Sequence, residues 1–583
     1  MEQGIMNGTQ ARNNPKDVPG TEYLSWLGTQ WRPDLAYPQL TDDMIDRLHS
    51  YGQEEVVPAD VCLYSHGDRN IDLFVVLEGG IDVSMPDAAG GTKVYNEIRS
   101  GNFGGEFNLL NSQGAVVEAR TVAPSVLLRI RRGNLQNLMR AEGDIANLIV
   151  QACIWRRIKI VEAAVSGAIV TGHSDDSQMI LLRRFFLRNI YPHRIIEVGE
   201  TGPELVKTRY PTVTLPNGKV LERPEIPDLA DELGITELPD SKAIFDVIVV
   251  GAGPAGLASA VYAASEGLST VIIEGIAPGG QAGTSSKIEN YLGFPTGIGG
   301  QQLAIRAQMQ ALKFGVRFAI SRPVVTISKK NRIHRLTLLG GQALCARAVV
   351  VATGAQYRTL NVKNFRDYEN RGLFYAATSM EGVLCRNHEV IVVGGGNSAG
   401  QASLFLSGIA RHVHHVVRGP SLASTMSQYL ISRIDKSKKI SVHTNSEIVR
   451  LGGAPSLSHV SWKDRVTGES TECEIGAVFV MIGAEPNTGW LFGSVQLDDK
   501  GFVVTGGEHG FEPTPYATSS PGIFAVGDVR AHSVKRIASA VGEGSVVISD
   551  VHRYLTSCQD SADTDRVSAA TVTGTRTITD PAR

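Results

Sequence analysis

The stretch IFDVIVVGAGPAGLASAVYAASEGLSTVIIEG, residues 244–275, decides how the chain is read. An apolar run predicts a buried strand, Gly251-x-Gly253-x-x-Gly256 turns the chain into a helix of small residues, and a second apolar run ends on Glu274. Gly251 permits the tight turn, Gly253 lets the backbone approach a pyrophosphate, and Gly256 allows close packing of helix on strand. The helix N-terminus presents N–H groups to negative charge. Glu274, eighteen residues past Gly256, is spaced to accept a ribose hydroxyl. Strand, fingerprint, helix, strand and acid in register predict a dinucleotide site.

The pattern recurs in EVIVVGGGNSAGQASLFLSGI, residues 389–409, where Gly394-x-Gly396-x-x-Ala399 follows another apolar strand. Two dinucleotides are therefore expected. After the next strand, HVHHVVRG (412–419) offers Arg418 in place of an acid, a partner for a 2′-phosphate that favours NADPH.

The rest of the chain surrounds these two sites. With 583 residues it is too long for a single core, and a multidomain architecture follows. A net charge of -3 gives no bias toward nucleic acid or membrane. Residues 1–20 lack the apolar core of a signal peptide, and no apolar run is long enough for a membrane helix, so a cytoplasmic protein is expected. The six cysteines (Cys62, Cys153, Cys345, Cys385, Cys473 and Cys558) are scattered with no C-x-x-C, which argues against a structural metal site and a disulfide framework.

Coarse periodicity divides the chain further. Residues 1–20 and 559–583 are polar and aperiodic, and are expected to be disordered. Short apolar runs such as LFVVL (73–77) and SVLLRI (125–130), set between glycine-rich turns, predict a small β roll over 40–135. A helical connector is expected over 136–170 and a compact α/β unit over 171–240. From 244 to 557, strands alternate with helices as in doubly wound α/β domains.

Several further motifs fall in order. Gly279-Gly280-Gln281, Glu289-Asn290, Ala352-Thr353-Gly354, FAVGDVR with Gly527-Asp528, and KRIASAVGEG (535–544) accompany the fingerprints. With them, residues 244–557 resemble the low-molecular-weight thioredoxin reductases of the pyridine nucleotide-disulfide oxidoreductase class. The resemblance implies a split FAD domain (244–361 and 486–557) with an NAD(P)H domain (362–485) inserted in it. It also implies Gln281, Asn290, Gly527 and Asp528 around the flavin and its ribityl chain, and a homodimer. Where the family has further basic residues for the 2′-phosphate, this chain has Val417, Gly419 and Ala423, which leaves NADH compatible as well. In LASTMSQYLISRI (422–434), Ser424, Thr425 or Arg433 is read either as a cofactor contact or as ordinary capping and packing.

One family feature is missing. The redox Cys-Ala-Thr-Cys turn is matched by Ala376-Ala377-Thr378-Ser379. Disulfide exchange needs an attacking thiolate and a resolving sulfur, and Ala376 and Ser379 supply neither. Cys385 lies where a strand begins and is read as buried. No catalytic acid or base is singled out.

The N-terminal part carries two more resemblances. LFVVLEGGIDV followed by GNFGGEFNLL is similar to a cyclic nucleotide-binding domain, with Gly104, Gly105 and Glu106 in the place of its phosphate cassette. The arginine expected eleven or twelve residues later falls on Val117 or Glu118, with Arg120 out of register, so a structural or interaction role is favoured over cyclic nucleotide binding. Residues 175–240 resemble a thioredoxin or glutaredoxin-like fold through Tyr210-Pro211-Thr212-Val213, with Pro211 as the candidate cis proline. HSDDS (173–177) replaces the cysteine turn, so this unit also lacks thiols.

The reading that results is an FAD-dependent NAD(P)H oxidoreductase that passes electrons to a small-molecule or protein acceptor without an internal dithiol. The alternatives are disulfide reductase activity through an external thiol, and a sensor or interaction protein with little turnover.

Overall fold

The computed structural model describes residues 31–86, 92–105, 107–110, 113–163, 167–173, 176–198, 209–285, 288, 291–369, 371–375, 377, 385–454, 456–506 and 514–573. The chain divides into two units, Met1–Gly354 with Thr488–Arg583, and Ala355–Asn487.

The first unit begins with a β roll of two four-stranded antiparallel sheets. One runs Gln53–Val57, Ser125–Ile130, Leu73–Glu78, Phe103–Gly104; the other runs Cys62–Tyr64, Glu118–Thr121, Gly80–Pro86, Thr92–Arg99. The short apolar runs seen in the sequence are its core, with Val75, Val76, Leu127 and Leu128 fully buried. Helices Arg132–Ala141 and Gly143–Ala163 follow.

The next sheet is ordered His193–Glu197, Ala168–Gly172, Thr212–Thr214, Val220–Glu222. Its first two strands are parallel and are joined through helix Ser177–Arg188, the other pairings are antiparallel, and the Tyr210–Pro211 peptide is cis. Strand Ala168–Gly172 takes residues 168–170 from the stretch read as helical connector, because Val170 is fully buried and Ile169 and Thr171 are β-branched.

The large sheet of the first unit is built on the opening fingerprint. Its order is Arg317–Ile320, Thr270–Glu274, Ile244–Val250, Ala343–Val351, Ile333–Leu338, Val324–Lys330. The pairings from Arg317–Ile320 to Ala343–Val351 are parallel, those beyond are antiparallel, and Ile523–Ala525 returns to pair in parallel with Ala343–Val351. Helix Ile537–Thr573 lies on helix Pro254–Ser265 so closely that a Cβ on Gly544 would sit 2.3 Å from the Ala255 carbonyl oxygen. The same helix continues past residue 559, where disorder was expected. Extending a helix already anchored by packing avoids the cost of nucleation, so a polar segment can continue it.

The second unit has a five-stranded parallel sheet ordered Leu373–Phe374, Val478–Val480, Glu389–Val393, His412–Val416, Ile440–His443. An antiparallel sheet of Ser446–Gly452, His459–Asp464 and Ser470–Glu474 accompanies it. Among the described residues no helix is long and apolar enough to cross a membrane.

Candidate dinucleotide sites

At the first fingerprint, strand Ile244–Val250 ends on Gly251, whose φ of +105° and whose 2.4 Å clearance from the Ala352 carbonyl oxygen, measured from a would-be Cβ, admit only glycine. A Cβ on Gly256 would lie 1.9 Å from the Gly251 carbonyl oxygen, which fixes the close helix–strand contact. Gly253 has a different role: a Cβ there would meet nothing nearer than Gly280 Cα at 3.8 Å, so this face of the turn is open. The first turn of helix Pro254–Ser265 leaves its N–H groups without intrahelical acceptors at that face. An open glycine face at a helix N-terminus fits a pyrophosphate.

Glu274 ends the neighbouring strand, and its two carboxylate oxygens accept from the Ala252 N–H at 2.8 Å and the Ile276 N–H at 3.1 Å. The carboxylate is thereby held at the fingerprint turn with lone pairs left for ribose hydroxyls. The Gly279–Gly280 loop is tied to the same turn, since the Gly279 N–H donates to the Ala252 carbonyl at 2.8 Å. Gln281 follows it and is exposed, whereas Asn290 lies outside the described residues.

The late Gly527-Asp528 turn joins the same unit. Gly527 has φ +73° and its N–H donates to Glu543 Oε2 at 2.6 Å. The Asp528 carboxylate accepts no hydrogen bond from a described residue; burial raises its pKa, opposed by Lys535, whose Nζ donates to the Asp528 carbonyl at 3.3 Å. A partly buried acid with unfilled acceptor sites fits a polyhydroxyl chain. Glu543, Arg530 and Gly544 were not singled out from the sequence, although the KRIASAVGEG segment contains two of them.

The second fingerprint is built in the same way. Gly394 has φ +142° and a Cβ there would lie 2.3 Å from the Met481 carbonyl oxygen, while Gly396 faces open space out to the Thr425 carbonyl oxygen at 4.0 Å. Ala399 is buried in the first turn of helix Asn397–Ser407. His415 holds the turn from below: Nε2 bonds the Gly394 carbonyl at 2.7 Å and Nδ1 pairs with the Ser403 hydroxyl at 2.9 Å. Burial lowers its pKa, which keeps the ring neutral with Nε2 as the donor. The Thr425 hydroxyl donates to the Gly395 carbonyl at 2.7 Å, and the Ser427 N–H donates to Asn397 Oδ1 at 2.7 Å. Of the two readings left open for 422–434, these bonds give Thr425 a packing and turn-holding role. Arg418 and Arg433 are exposed, and Arg418 pairs with no described residue.

The degenerate turn falls outside the described residues at Ala376 and Ser379, as does Glu106 in the roll. Gly104 ends the strand Phe103–Gly104, and Gly105 takes φ +137°. Beside them lies a partly open cavity of about 20 Å³, lined in part by Tyr37, Tyr95, Gly105, Val117 and Arg156. Arg156, from helix Gly143–Ala163, is buried and donates to the carbonyls of Ala36 at 2.8 Å, Phe103 at 2.9 Å and Gly105 at 2.8 Å. Arg120 points elsewhere, bonded to Asp60 and Glu118. No local pattern marks Arg156, which reaches the roll from 51 residues beyond Gly105.

The profile of the pyridine nucleotide-disulphide oxidoreductases matches residues 245–544, and that of cyclic nucleotide-binding domains matches residues 54–142. The thioredoxin reductase of Mycolicibacterium smegmatis is 35% identical over 315 residues, covering 54% of this chain and 98% of that protein. That of Treponema pallidum is 36% identical over 316 residues, covering 54% and 99%. A solved thioredoxin reductase from Streptococcus pyogenes MGAS5005 is 33% identical, covers 54% of this chain and 99% of that chain, and superposes with a TM-score of 0.48. Two glycine fingerprints shaped for pyrophosphates, inside a match of this extent, mean that the chain belongs to the pyridine nucleotide-disulphide oxidoreductase family, as a thioredoxin reductase-like flavoprotein preceded by a cyclic nucleotide-binding domain.

Proposed function

We propose that this chain oxidises NADPH, or NADH, through FAD and delivers the electrons to an acceptor that meets the flavin directly, with no dithiol relay inside the chain. The observation that carries this reading is the sequence Ala376-Ala377-Thr378-Ser379 immediately before the second nucleotide fold. A relay needs one thiolate to attack and a second sulfur to resolve. The cysteines offer no substitute pair in the sequence: no C-x-x-C occurs, and Cys385, nearest in sequence to the turn, is fully buried.

Bound FAD supplies acceptance of hydride and onward release of electrons. The protein's own part is positional. Gly251, Gly253 and Gly256 receive the FAD pyrophosphate, Glu274 the adenosine ribose, and Asp528 with Gln281 and Asn290 the ribityl and flavin end. Gly394, Gly396 and Ala399 receive the nicotinamide dinucleotide, and Arg418 meets a 2′-phosphate. The acceptor classes that fit are a quinone, oxygen, a ferredoxin or an external disulfide, and a homodimer is part of the same reading. In the roll, Arg156 takes the space beside Gly105, which supports a structural role over cyclic nucleotide binding.

Anaerobic stopped-flow reduction tests the proposal. Rapid bleaching of the bound flavin by NADPH, followed by reoxidation with one member of an acceptor panel, is expected. Failure of both nicotinamides to bleach it would sink the oxidoreductase reading. Turnover of thioredoxin by the purified protein without an added thiol, lost when the chain's own cysteines are replaced by serine, would overturn the direct-acceptor part.

A further inference from the structure

The thioredoxin-like unit lies outside the 245–544 family match, and its turn carries no thiols. Its last helical residue nevertheless reaches the flavin side of the molecule. Arg188 Nη2 donates to the carbonyl oxygens of Ala277 at 2.8 Å, Gly280 at 3.2 Å and Pro278 at 3.4 Å. Asn189 Nδ2 adds a bond to the Ile276 carbonyl at 3.2 Å, and Gln301 Nε2 donates back to the Arg188 carbonyl at 2.9 Å. The gripped loop touches the fingerprint directly: a Cβ on Gly280 would lie 2.9 Å from Gly253 Cα. One thickness of backbone therefore separates this guanidinium from the open glycine face.

Arg188 forms no ion pair with a described residue, and its Nε is buried without a hydrogen-bond partner. Glu274 is the only acid that acts on it electrostatically among the described residues, and that carboxylate is already bonded to Ala252 and Ile276. A desolvated cation with no paired anion is costly to keep. Carbonyl oxygens satisfy its N–H groups without neutralising its charge. The anion that belongs at the adjoining turn is the doubly charged FAD pyrophosphate.

We infer that Arg188 is a FAD-positioning residue contributed by the thioredoxin-like unit, holding the Ala277–Gly280 loop against the fingerprint turn and placing positive charge behind the pyrophosphate. The thiol-free unit is then a clamp on the flavin site. This rests on FAD binding at Gly251–Gly256.

The test uses the full-length flavoprotein with Arg188→Met, Arg188→Lys and, as a control, Arg140→Met. Arg140 Nη2 donates to the Phe314 carbonyl at 2.9 Å, a contact with the same domain away from the nucleotide turn. FAD affinity is read from flavin fluorescence and from the rise in Tm that added FAD produces. Loss of the loop contacts and of the charge behind the turn predicts roughly tenfold weaker FAD binding and a smaller FAD-dependent Tm increment for Arg188→Met. Arg188→Lys is expected to lie between, and Arg140→Met to match wild type. Salt should weaken FAD binding more in wild type than in Arg188→Met.

Wild-type affinity and Tm increment in Arg188→Met would overturn the inference and leave Arg188 as a docking residue. If Arg188→Met does not fold, Arg188→Lys decides: weakened FAD binding supports the inference, and unchanged binding overturns it. A wild-type protein that carries no flavin and takes up none would instead overturn the cofactor assignment, and this inference with it.

Discussion

Arg530 forks onto Glu543, with Nε to Oε2 at 3.1 Å and Nη2 to Oε1 at 2.7 Å, and Oε2 also receives the Gly527 N–H at 2.6 Å. One carboxylate thus ties the Gly527-Asp528 turn to the helix that packs on the first fingerprint. The side chains are only 18% and 12% exposed, so removing the negative charge strands a largely desolvated guanidinium. Glu543→Gln is expected to lower unfolding free energy by about 2 kcal/mol, discounted from the fully buried case, and to loosen FAD. Urea denaturation of the holoprotein measures the first effect; a change below about 0.5 kcal/mol would contradict it.

Arg418 is an exposed cation with no described partner, beyond strand His412–Val416. Arg418→Ala should raise the KM for NADPH about tenfold while changing that for NADH less than about twofold. Equal changes for both nicotinamides would remove Arg418 from the 2′-phosphate.

Among the described residues, the cavity beside Gly105 has a volume of about 20 Å³, room for roughly one water. Cyclic AMP and cyclic GMP at millimolar concentration should therefore leave the Tm of the wild-type protein unchanged. Arg156→Ala orphans the Ala36, Phe103 and Gly105 carbonyls and should cost about 3 kcal/mol, at about 1 kcal/mol for each bond. A ligand-dependent thermal shift in wild type would show that Arg156 moves aside.

His334 is fully buried, and neither ring nitrogen has a hydrogen-bond partner among the described residues. Burial, aided by Lys329, pushes its pKa down to about 4. The unfolded chain takes up this proton below about pH 6.5, whereas the folded chain does so only near 4. The stability from keeping the ring neutral is complete above about pH 6.5 and is lost as pH falls through that window, by at most about 3 kcal/mol. His193 and His443, also held near 4 mainly by burial, add slope of the same sign. His334→Leu should flatten the acid limb of a stability–pH curve, and an unchanged slope would refute the assignment.

The parts legible in the sequence were those governed by local rules. Gly251, Gly256 and Gly394 announce themselves because a positive φ or a carbonyl within 2.4 Å forbids any side chain at each. Pro211 was marked by its neighbours before a strand, and the peptide is cis. Arg156 and Arg188 were not legible, because their partners are set by packing between elements far apart in the chain, and Glu543 was not, because its bonds to Gly527 and Arg530 depend on how the last helix docks. Arg188 and Gly280, for example, are 92 residues apart. The helix through residue 559 was missed because composition alone does not reveal that a polar tail continues an anchored helix.

The strand Ile523–Ala525 pairs with Ala343–Val351, and the whole unit Ala355–Asn487 is threaded between them. During synthesis the flavin-side sheet stays open along Val349–Val351 while the inserted unit emerges with all of its strands in hand. The insert can close first, and the flavin half must wait for Ile523–Ala525 before its edge is covered. A ribosome stalled after the insert would carry an exposed strand edge beside a finished neighbour, the state most in need of a chaperone.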